Sequence, residues 1–122
     1  MNQVTLVGNL TDDPEFRYTQ GGLAVANFTV AVSRRVPKGD GWEDATDGFF
    51  RCVAWRSNAD NAAQTLCKGM RVFVVGRLSQ RSWEDEAGNK RSTIEIHASH
   101  VGPDLQFATA EVMKPTQADA AA

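Results

Sequence analysis

Aromatic and basic side chains alternate along two segments of the sequence in a pattern that suits binding rather than catalysis. Phe49, Arg51 and Trp55 lie at multiples of two residues in the first segment, and Arg81 and Trp83 do so in the second. Residues two apart lie on one face of an extended strand. Exposed aromatic rings stack on unpaired nucleobases while arginines hold the phosphate backbone. The pattern therefore predicts a surface that binds single-stranded nucleic acid with little base preference.

The full set of predicted contacts is larger, and its members differ in how well core packing explains them. For Trp55 and Trp83 we favour stacking, because arginines adjoin them and loops are close by. Phe73 also fits a place in the core, and Trp42 could equally anchor a loop. The predicted nucleic-acid contacts are Arg34, Arg35, Trp42, Phe49, Arg51, Trp55, Arg56, Arg71, Phe73, Arg77, Arg81, Trp83, Lys90 and Arg91.

Side chains suited to catalysis or metal binding are few. The two histidines, His97 and His100, are three residues apart, so on a regular strand they would face opposite sides. Together with Cys52 and Cys67 they lack the close Cys–Cys and His–His pairs of zinc sites. No Walker loop, dinucleotide fingerprint or nucleophile elbow occurs. We therefore predict no enzymatic activity, no cofactor and no metal site.

The two cysteines, Cys52 and Cys67, are predicted to be reduced thiols that fill core space. The alternative is a disulfide between one cysteine and its copy in a neighbouring subunit, because a two-fold axis brings identical residues together. Cys52 faces away from Trp55, towards either the core or a subunit contact. Cys67 is predicted to close a helix, where partial exposure is expected. Both are therefore candidates for an inter-subunit disulfide.

Charge is distributed unevenly along the chain. The formal net charge is −2, yet residues 49–83 carry six basic residues and one acidic residue. A local charge of +5 fits a strip that contacts phosphates, although a solvated strand face explains it equally well.

The length of 122 residues corresponds to one domain. The absence of a long apolar run or a signal segment predicts a cytoplasmic protein without a membrane span.

Apolar alternation with a period of two predicts strands along most of the chain. Ser57 or Asn58 is available to cap a short helix and Gly69 to stop it, whereas the polar residues 34–47 suit a long loop or a mobile hairpin. The predicted strands span residues 3–10, 23–33, 48–56, 70–83 and about 90–101, with a short extended segment at 15–18 and the helix at 57–68.

The order of these elements, three strands, one helix and two strands, favours an all-β, five-stranded OB-fold barrel with one short helix between strands 3 and 4. Order and length alone leave an SH3-like barrel or a split sheet-plus-helix fold open. We predict a nucleic-acid-binding domain at residues 1–107 and a short disordered tail at 108–122, where the composition shifts to Thr, Gln, Asp and Ala.

Five motifs occur in a fixed order: VTLVGNL at 4–10, DPEFRY at 13–18, GGLAVANF at 21–28, KGMRVFVVGRL at 68–78 and RSWED at 81–85. Together they resemble the bacterial single-stranded DNA-binding protein family over about residues 2–107. The resemblance implies an OB-fold, a homotetramer, and non-catalytic protection of single-stranded DNA during replication, recombination and repair. Such a protein would act at the nucleoid. The long apolar first strand would leave an open edge, so we expect subunits to pair through it and two dimers to join face to face.

The resemblance assigns roles to individual positions. Trp55 matches the family's stacking aromatic after the third strand, and Trp83 matches the tryptophan that opens the hairpin between the last two strands. Phe49 stands where the family often has another stacking tryptophan. Val36 stands where many members have an aromatic residue, and Phe50 where some have a histidine at the subunit contact. Stacking near Val36 would therefore be lost or taken over by Trp42.

The C-terminal residues depart from the family pattern. Replication members continue through a Gly/Pro/Gln-rich linker to an acidic tip that docks on other enzymes, whereas residues 117–122 read QADAAA. We therefore expect no recruitment of repair enzymes through an acidic tail, as in a short paralogue with a specialised role. Two alternatives remain at this stage: an RNA-preferring binder with a primosomal accessory role, and an OB-fold assembly module.

Overall fold

The computed structural model describes residues 1–114. Within them it contains β1 (Val4–Leu10), β2 (Glu15–Tyr18), β3 (Ala24–Lys38), β4 (Gly41–Trp55), α1 (Ser57–Thr65), β5 (Arg71–Glu84) and β6 (Lys90–Pro103). Residues 108–114 are exposed and have no regular secondary structure. The rest of the predicted tail, residues 115–122, lies outside the described residues.

Five of these strands close into a ring. β1 pairs antiparallel with β5, β5 pairs antiparallel with β6, and β6 runs parallel to β4. β4 pairs antiparallel with β3, which returns to β1 through the pairs Asn9–Ala31 and Leu10–Val30. β2 lies outside the ring on the edge of β3. This ring, with its one helix between the third and fourth ring strands, confirms the predicted all-β OB-fold class.

The core fills the inside of the ring because alternate strand residues point inward. On β3 the buried residues Ala26, Phe28 and Val30 follow the predicted apolar face. Ala59 and Ala62 of α1 pack on the same cluster and cover part of it. The other members of the core cluster are Leu10, Ala24, Cys52, Ala54, Leu66, Val72, Val74 and Ile96. The intervening residues of β4, β5 and β6 consequently face outward.

Two strand glycines are required by close contact between neighbouring strands. A Cβ atom on Gly76 would lie 2.3 Å from the carbonyl oxygen of His97, and one on Gly8 would lie 2.3 Å from that of Ala31. Real Cβ atoms essentially never approach so closely. The glycine at position 76 therefore brings β5 close to β6 beside His97.

The helix begins at Ser57 as predicted, but its N-cap and its C-terminal end differ from the prediction. Its N-cap is Arg56, with φ 58° and ψ −127°, and no side chain caps the first turn. The predicted caps Ser57 and Asn58 lie inside the helix, because Arg56 makes the sharp turn out of β4. The helix ends at Thr65 rather than at residue 68. Gly69, with φ 87°, instead forms the turn that leads into β5.

Residues 34–47 form a regular hairpin and not a loop. β3 and β4 remain paired out to Lys38 and Gly41, with an irregularity in register between Val32 and Ser33. Ion pairs join the two strands of this hairpin at Arg34–Asp47 (2.9 Å), Arg35–Asp44 (3.6 Å) and Lys38–Glu43 (3.2 Å). Cross-strand pairs of opposite charge thus replace the apolar contacts that the sequence lacks here.

Candidate nucleic-acid interface

The outward side chains of β4, β6 and β5 form one continuous surface, which we call the outer face. Strand pairing sets Val53 of β4 beside His97 of β6 and His97 beside Arg77 of β5. Trp55 joins this group because its side chain contacts His97. The accessible members of the outer face are Arg51, Trp55, Arg77, Arg81, Trp83 and His97, whereas Val53 and Glu95, on the same side of the strands, are buried. Predicted contacts from two strands far apart in sequence therefore lie together.

Trp55 ends β4 with its indole beside the ring of a histidine, His97. Its exposed fraction is 36%, and its Nε1–H donates a hydrogen bond of 3.2 Å to Nδ1 of His97. The two ring planes are within 8° of parallel. Beside them an open cleft of about 380 Å³ is lined by Gln3, Arg77 and Ser99, among others. A half-exposed indole next to a guanidinium and an open cleft can stack on an unpaired base.

Trp83 provides a second half-exposed indole, near the end of the β5–β6 hairpin. Its exposed fraction is 43%, and the Arg81 guanidinium lies 4.8 Å from its ring centroid. Arg81 also forms an ion pair of 3.4 Å with the buried carboxylate of Glu95. A cleft of about 550 Å³ near Trp83 is lined by Lys90 and Arg91. The hairpin thus places an aromatic ring and several cations around one opening.

Asp85 organises the turn of this hairpin. Its carboxylate accepts hydrogen bonds from the backbone N–H groups of Asn89 and Ala87 and forms an ion pair of 3.0 Å with Arg91. The Asn89 N–H and the Arg91 guanidinium hold the pKa of this carboxyl below its ordinary value. The turn therefore holds Arg91 in place, and the ion pair with Asp85 neutralises the charge that Arg91 could offer to a phosphate.

Ion pairing divides the predicted cationic contacts into two groups. Arg34, Arg35, Arg71, Arg81 and Arg91 each pair with a carboxylate. Within residues 1–114, Arg51, Arg56, Arg77 and Lys90 have no such partner. The pairs of Arg34 and Arg35 are exposed and worth about 0–1 kcal/mol each, so phosphates can replace their carboxylates at some loss of binding free energy. Arg81 instead pairs with the largely buried Glu95, which would be left without a partner if Arg81 moved to a phosphate. The unpaired group is therefore expected to contribute most per residue.

Arg71 and Phe73 lie at the other end of β5 from Arg81 and Trp83, and both are engaged with the chain that follows β6. Arg71 pairs with Asp104 at 2.7 Å, and its guanidinium lies 5.4 Å from the Phe107 ring centroid. Phe73 is half-buried with its ring close to Gly102. The structure does not bring these two predicted contacts together with Trp55.

The β3–β4 hairpin carries two more predicted aromatic contacts. Phe49 is 67% exposed and Trp42 is 64% exposed. The register pairs Val32 with Gly48 but Ser33 with Thr46, so Asp47 is an extra residue on β4. Such an extra residue shifts the alternation by one and places Trp42 on the same side of the hairpin as Phe49. Both rings can therefore extend the outer face.

His97 is the outer-face residue that sequence reasoning missed. The register pairs His97 with Arg77 and His100 with Val75, which leaves Ser99 as an extra residue on β6. The expectation that the two histidines face opposite sides is therefore wrong, because this bulge returns His100 to the outward side. No signal in the sequence marks the bulge.

The cysteines occupy different environments. Cys52 belongs to the core cluster, and burial raises the pKa of its thiol to about 12. Its side chain is buried inside the described protomer, which favours the prediction of a reduced core thiol over an inter-subunit disulfide at this position. Cys67 is exposed, two residues beyond the end of α1.

Among residues 1–114, no three His, Cys, Asp or Glu side chains cluster as metal ligands would. In the same residues, no helix is both long enough and apolar enough to span a membrane.

Comparison with known proteins relates this geometry to a family. The profile of the Single-strand binding protein family matches residues 1–104. A protein of Mycobacterium bovis named "Single-stranded DNA-binding protein" is 49% identical over 117 residues, covering 93% of this chain and 71% of the relative. The protein of the same name from Mycolicibacterium smegmatis is 47% identical over 116 residues, covering 93% and 70%. "Single-stranded DNA-binding protein 1" of Tropheryma whipplei (strain Twist) is 46% identical over 117 residues, covering 94% and 63%.

Proposed function

Because the chain belongs to the single-strand binding protein family, we propose that it binds single-stranded DNA through the outer face, without base preference. The observation that carries the proposal is the grouping of Trp55, Arg77 and His97 on adjacent strands, with Arg81 and Trp83 further along β5. Family membership and the names of the relatives indicate a non-catalytic DNA-binding protein.

The proposed mechanism combines stacking with backbone neutralisation. Bases of an unpaired strand stack on the indoles of Trp55 and Trp83, with Phe49 and Trp42 as further stacking residues on the β3–β4 hairpin. Each stack is worth about 1–3 kcal/mol and is available to any base. Arg51, Arg56, Arg77 and Lys90 neutralise phosphates, and Arg34 and Arg35, whose ion pairs are exposed, exchange carboxylates for phosphates. Binding releases counterions from the DNA, and this release is less favourable at higher salt, so affinity falls as the salt concentration rises.

The biological setting follows from the ligand. Single strands arise where a chromosome is copied, recombined or repaired, so we propose that the protein protects them in these processes. This setting corresponds to a cytoplasmic, nucleoid-associated location. The names of the relatives give no support to the alternatives of an assembly module or an RNA-preferring binder.

We propose further that subunits assemble into a tetramer, as a dimer of dimers. β1 pairs with β3 only at Asn9 and Leu10, which leaves the edge of its first residues unpaired within the described protomer. An open strand edge favours pairing with another chain. Val7, Phe73 and Val75 form an apolar outward patch on β1 and β5 that suits a contact between dimers. Light scattering should give four times the protomer mass of 13.3 kDa; a monomer mass would refute the assembly.

Titration with oligo(dT) while following tryptophan fluorescence tests the binding proposal. Three tryptophans report, and stacking on Trp55 and Trp83 should quench the emission strongly. The quenching should reverse as salt is raised, because the phosphate contacts weaken. Oligo(rU) and duplex DNA of the same length serve as competitors. Absence of quenching with oligo(dT) would contradict the proposal, and stronger competition by oligo(rU) would favour the RNA-preferring alternative.

A further inference from the structure

The geometry of the Trp55–His97 pair shows two rings side by side and not one above the other. Nε1 of Trp55 lies 3.2 Å from Nδ1 of His97, the planes are 8° from parallel, and the ring centroids are 6.4 Å apart. The indole N–H points outward within the ring plane. An acceptor at this distance with a parallel ring must therefore lie next to the indole edge, so the two rings form one flat unit.

The hydrogen bond to His97 restrains the orientation of the Trp55 indole. The indole N–H can only donate, so this hydrogen bond requires that Nδ1 of His97 carries no proton. His97 itself sits on a paired strand, between Val53 of β4 and Arg77 of β5. Among the described residues, this is the side-chain hydrogen bond that Trp55 makes. Trp55 is the last residue of β4, so strand pairing beyond it does not restrain its side chain.

We propose that His97 is a positioning residue that holds the Trp55 indole flat on the outer face, ready to receive a base. This inference rests on the proposed function, since it assigns His97 a role in stacking at Trp55. Binding to an indole that is already fixed avoids the entropy cost of ordering a side chain. Loss of the hydrogen bond is therefore expected to weaken single-strand binding roughly twofold to tenfold.

Two substitutions separate the hydrogen bond from the bulk of the side chain. His97→Phe keeps a flat ring but removes the acceptor, whereas His97→Asn keeps an acceptor oxygen near the position of Nδ1. Binding is measured by the anisotropy of a labelled oligo(dT) at fixed salt. His97→Phe should bind roughly twofold to tenfold more weakly, and His97→Asn should recover most of that loss. Circular dichroism confirms that each variant is folded.

A spectroscopic measurement reports the bond directly in the unbound protein. The three tryptophans give three indole N–H signals in a ¹H–¹⁵N correlation spectrum, and Trp55→Phe identifies the one of interest. In the wild type and in His97→Asn this proton should exchange slowly with solvent. In His97→Phe it should exchange fast and its signal should move. An unchanged signal in His97→Phe would overturn the proposal.

A double-mutant cycle distinguishes failure of this inference from failure of the proposed function. If Trp55→Ala binds oligo(dT) as tightly as the wild type, stacking at Trp55 is wrong and the proposed function fails at this site. If Trp55→Ala weakens binding but His97→Phe does not, only the positioning role fails. In the Trp55→Ala background, His97→Phe should add no further loss. An equal loss in both backgrounds would show that His97 acts independently of Trp55 and would also overturn the proposal.

Discussion

Arg56, between Trp55 and α1, has a backbone conformation that side chains disfavour. Its φ of 58° and ψ of −127° lie in a region populated mainly by glycine. Two hydrogen bonds hold it there: its N–H donates to the Ala24 carbonyl at 2.9 Å, and its carbonyl accepts from the Asp60 N–H at 3.0 Å. Arg56→Gly should therefore relieve strain and stabilise the fold, while the loss of a cation weakens single-strand binding.

The two effects can be estimated separately. Relief of such strain stabilises the fold by about 1–3 kcal/mol. Glycine also increases the conformational freedom of the unfolded chain, which destabilises the fold by about 0.4–1 kcal/mol. Arg56→Gly is therefore expected to be about 0.5–2 kcal/mol more stable than Arg56→Ala, which keeps the Cβ atom and the strain. Loss of one phosphate contact lowers the salt slope by about 0.7. At 0.15 M salt this corresponds to about a fourfold loss of affinity.

Urea unfolding followed by circular dichroism measures the stability of the wild type, Arg56→Gly and Arg56→Ala at one protein concentration, because assembly affects stability. Anisotropy of a labelled oligo(dT) at several salt concentrations measures binding. Both variants should bind equally weakly, and only Arg56→Gly should gain stability. Equal stability of the two variants would refute the strain argument. Wild-type affinity in both would show that Arg56 does not contact the strand.

Three other substitutions test charge and burial. Asp47→Asn should tighten oligo(dT) binding up to about fivefold by releasing Arg34 from an exposed ion pair; a gain that persists without Arg34 would contradict this. Arg77→Gln should lower the salt slope by about 0.7, and an unchanged slope would exclude a phosphate contact. A thiol reagent should modify Cys67 but not Cys52 in the native protein, and modification of both would contradict the burial of Cys52. Between pH 8 and 10 the Cys52 thiol should lower the free energy of unfolding by about 1.4 kcal/mol. The unfolded thiol ionises near its ordinary pKa of 9.0, whereas the folded thiol has a pKa of about 12 and stays protonated below it. The contribution of this thiol to stability is therefore complete below pH 9 and decreases above it. Cys52→Ala should lack this alkaline decline, and an equally steep decline would refute its origin in this thiol.

The fold could be predicted where burial repeats regularly. Phe28 and Val30 of β3, and Val72 and Val74 of β5, alternate with outward residues and mark the inside of the ring. For residues 34–47 the sequence left a loop and a hairpin open, because backbone pairing and cross-strand ion pairs stabilise the hairpin and neither leaves an apolar pattern. The turn that precedes α1 was also missed, because Arg56 makes it without a side-chain cap.

Those residues of the candidate site that lie an even number of positions apart on one strand could be predicted from the sequence. That spacing placed Arg51 and Trp55 on one face, as the structure does. It could not show that Glu95 neutralises Arg81, because the two meet only through the pairing of β5 with β6. Nor could it find His97, whose neighbours come from two other strands, β4 and β5, and whose relation to His100 depends on a bulge.

The affinity of three aromatic variants for oligo(dT) tests most directly whether the outer face binds single strands. Trp55→Ala and Trp83→Ala should each lose about 1–3 kcal/mol, the usual value of one base stack. The matched control is Tyr18→Ala, which removes a ring that is 64% exposed on β2, outside the ring of strands. The account predicts wild-type affinity for Tyr18→Ala and weak binding for both tryptophan variants; equal affinity in all three variants and the wild type would contradict it.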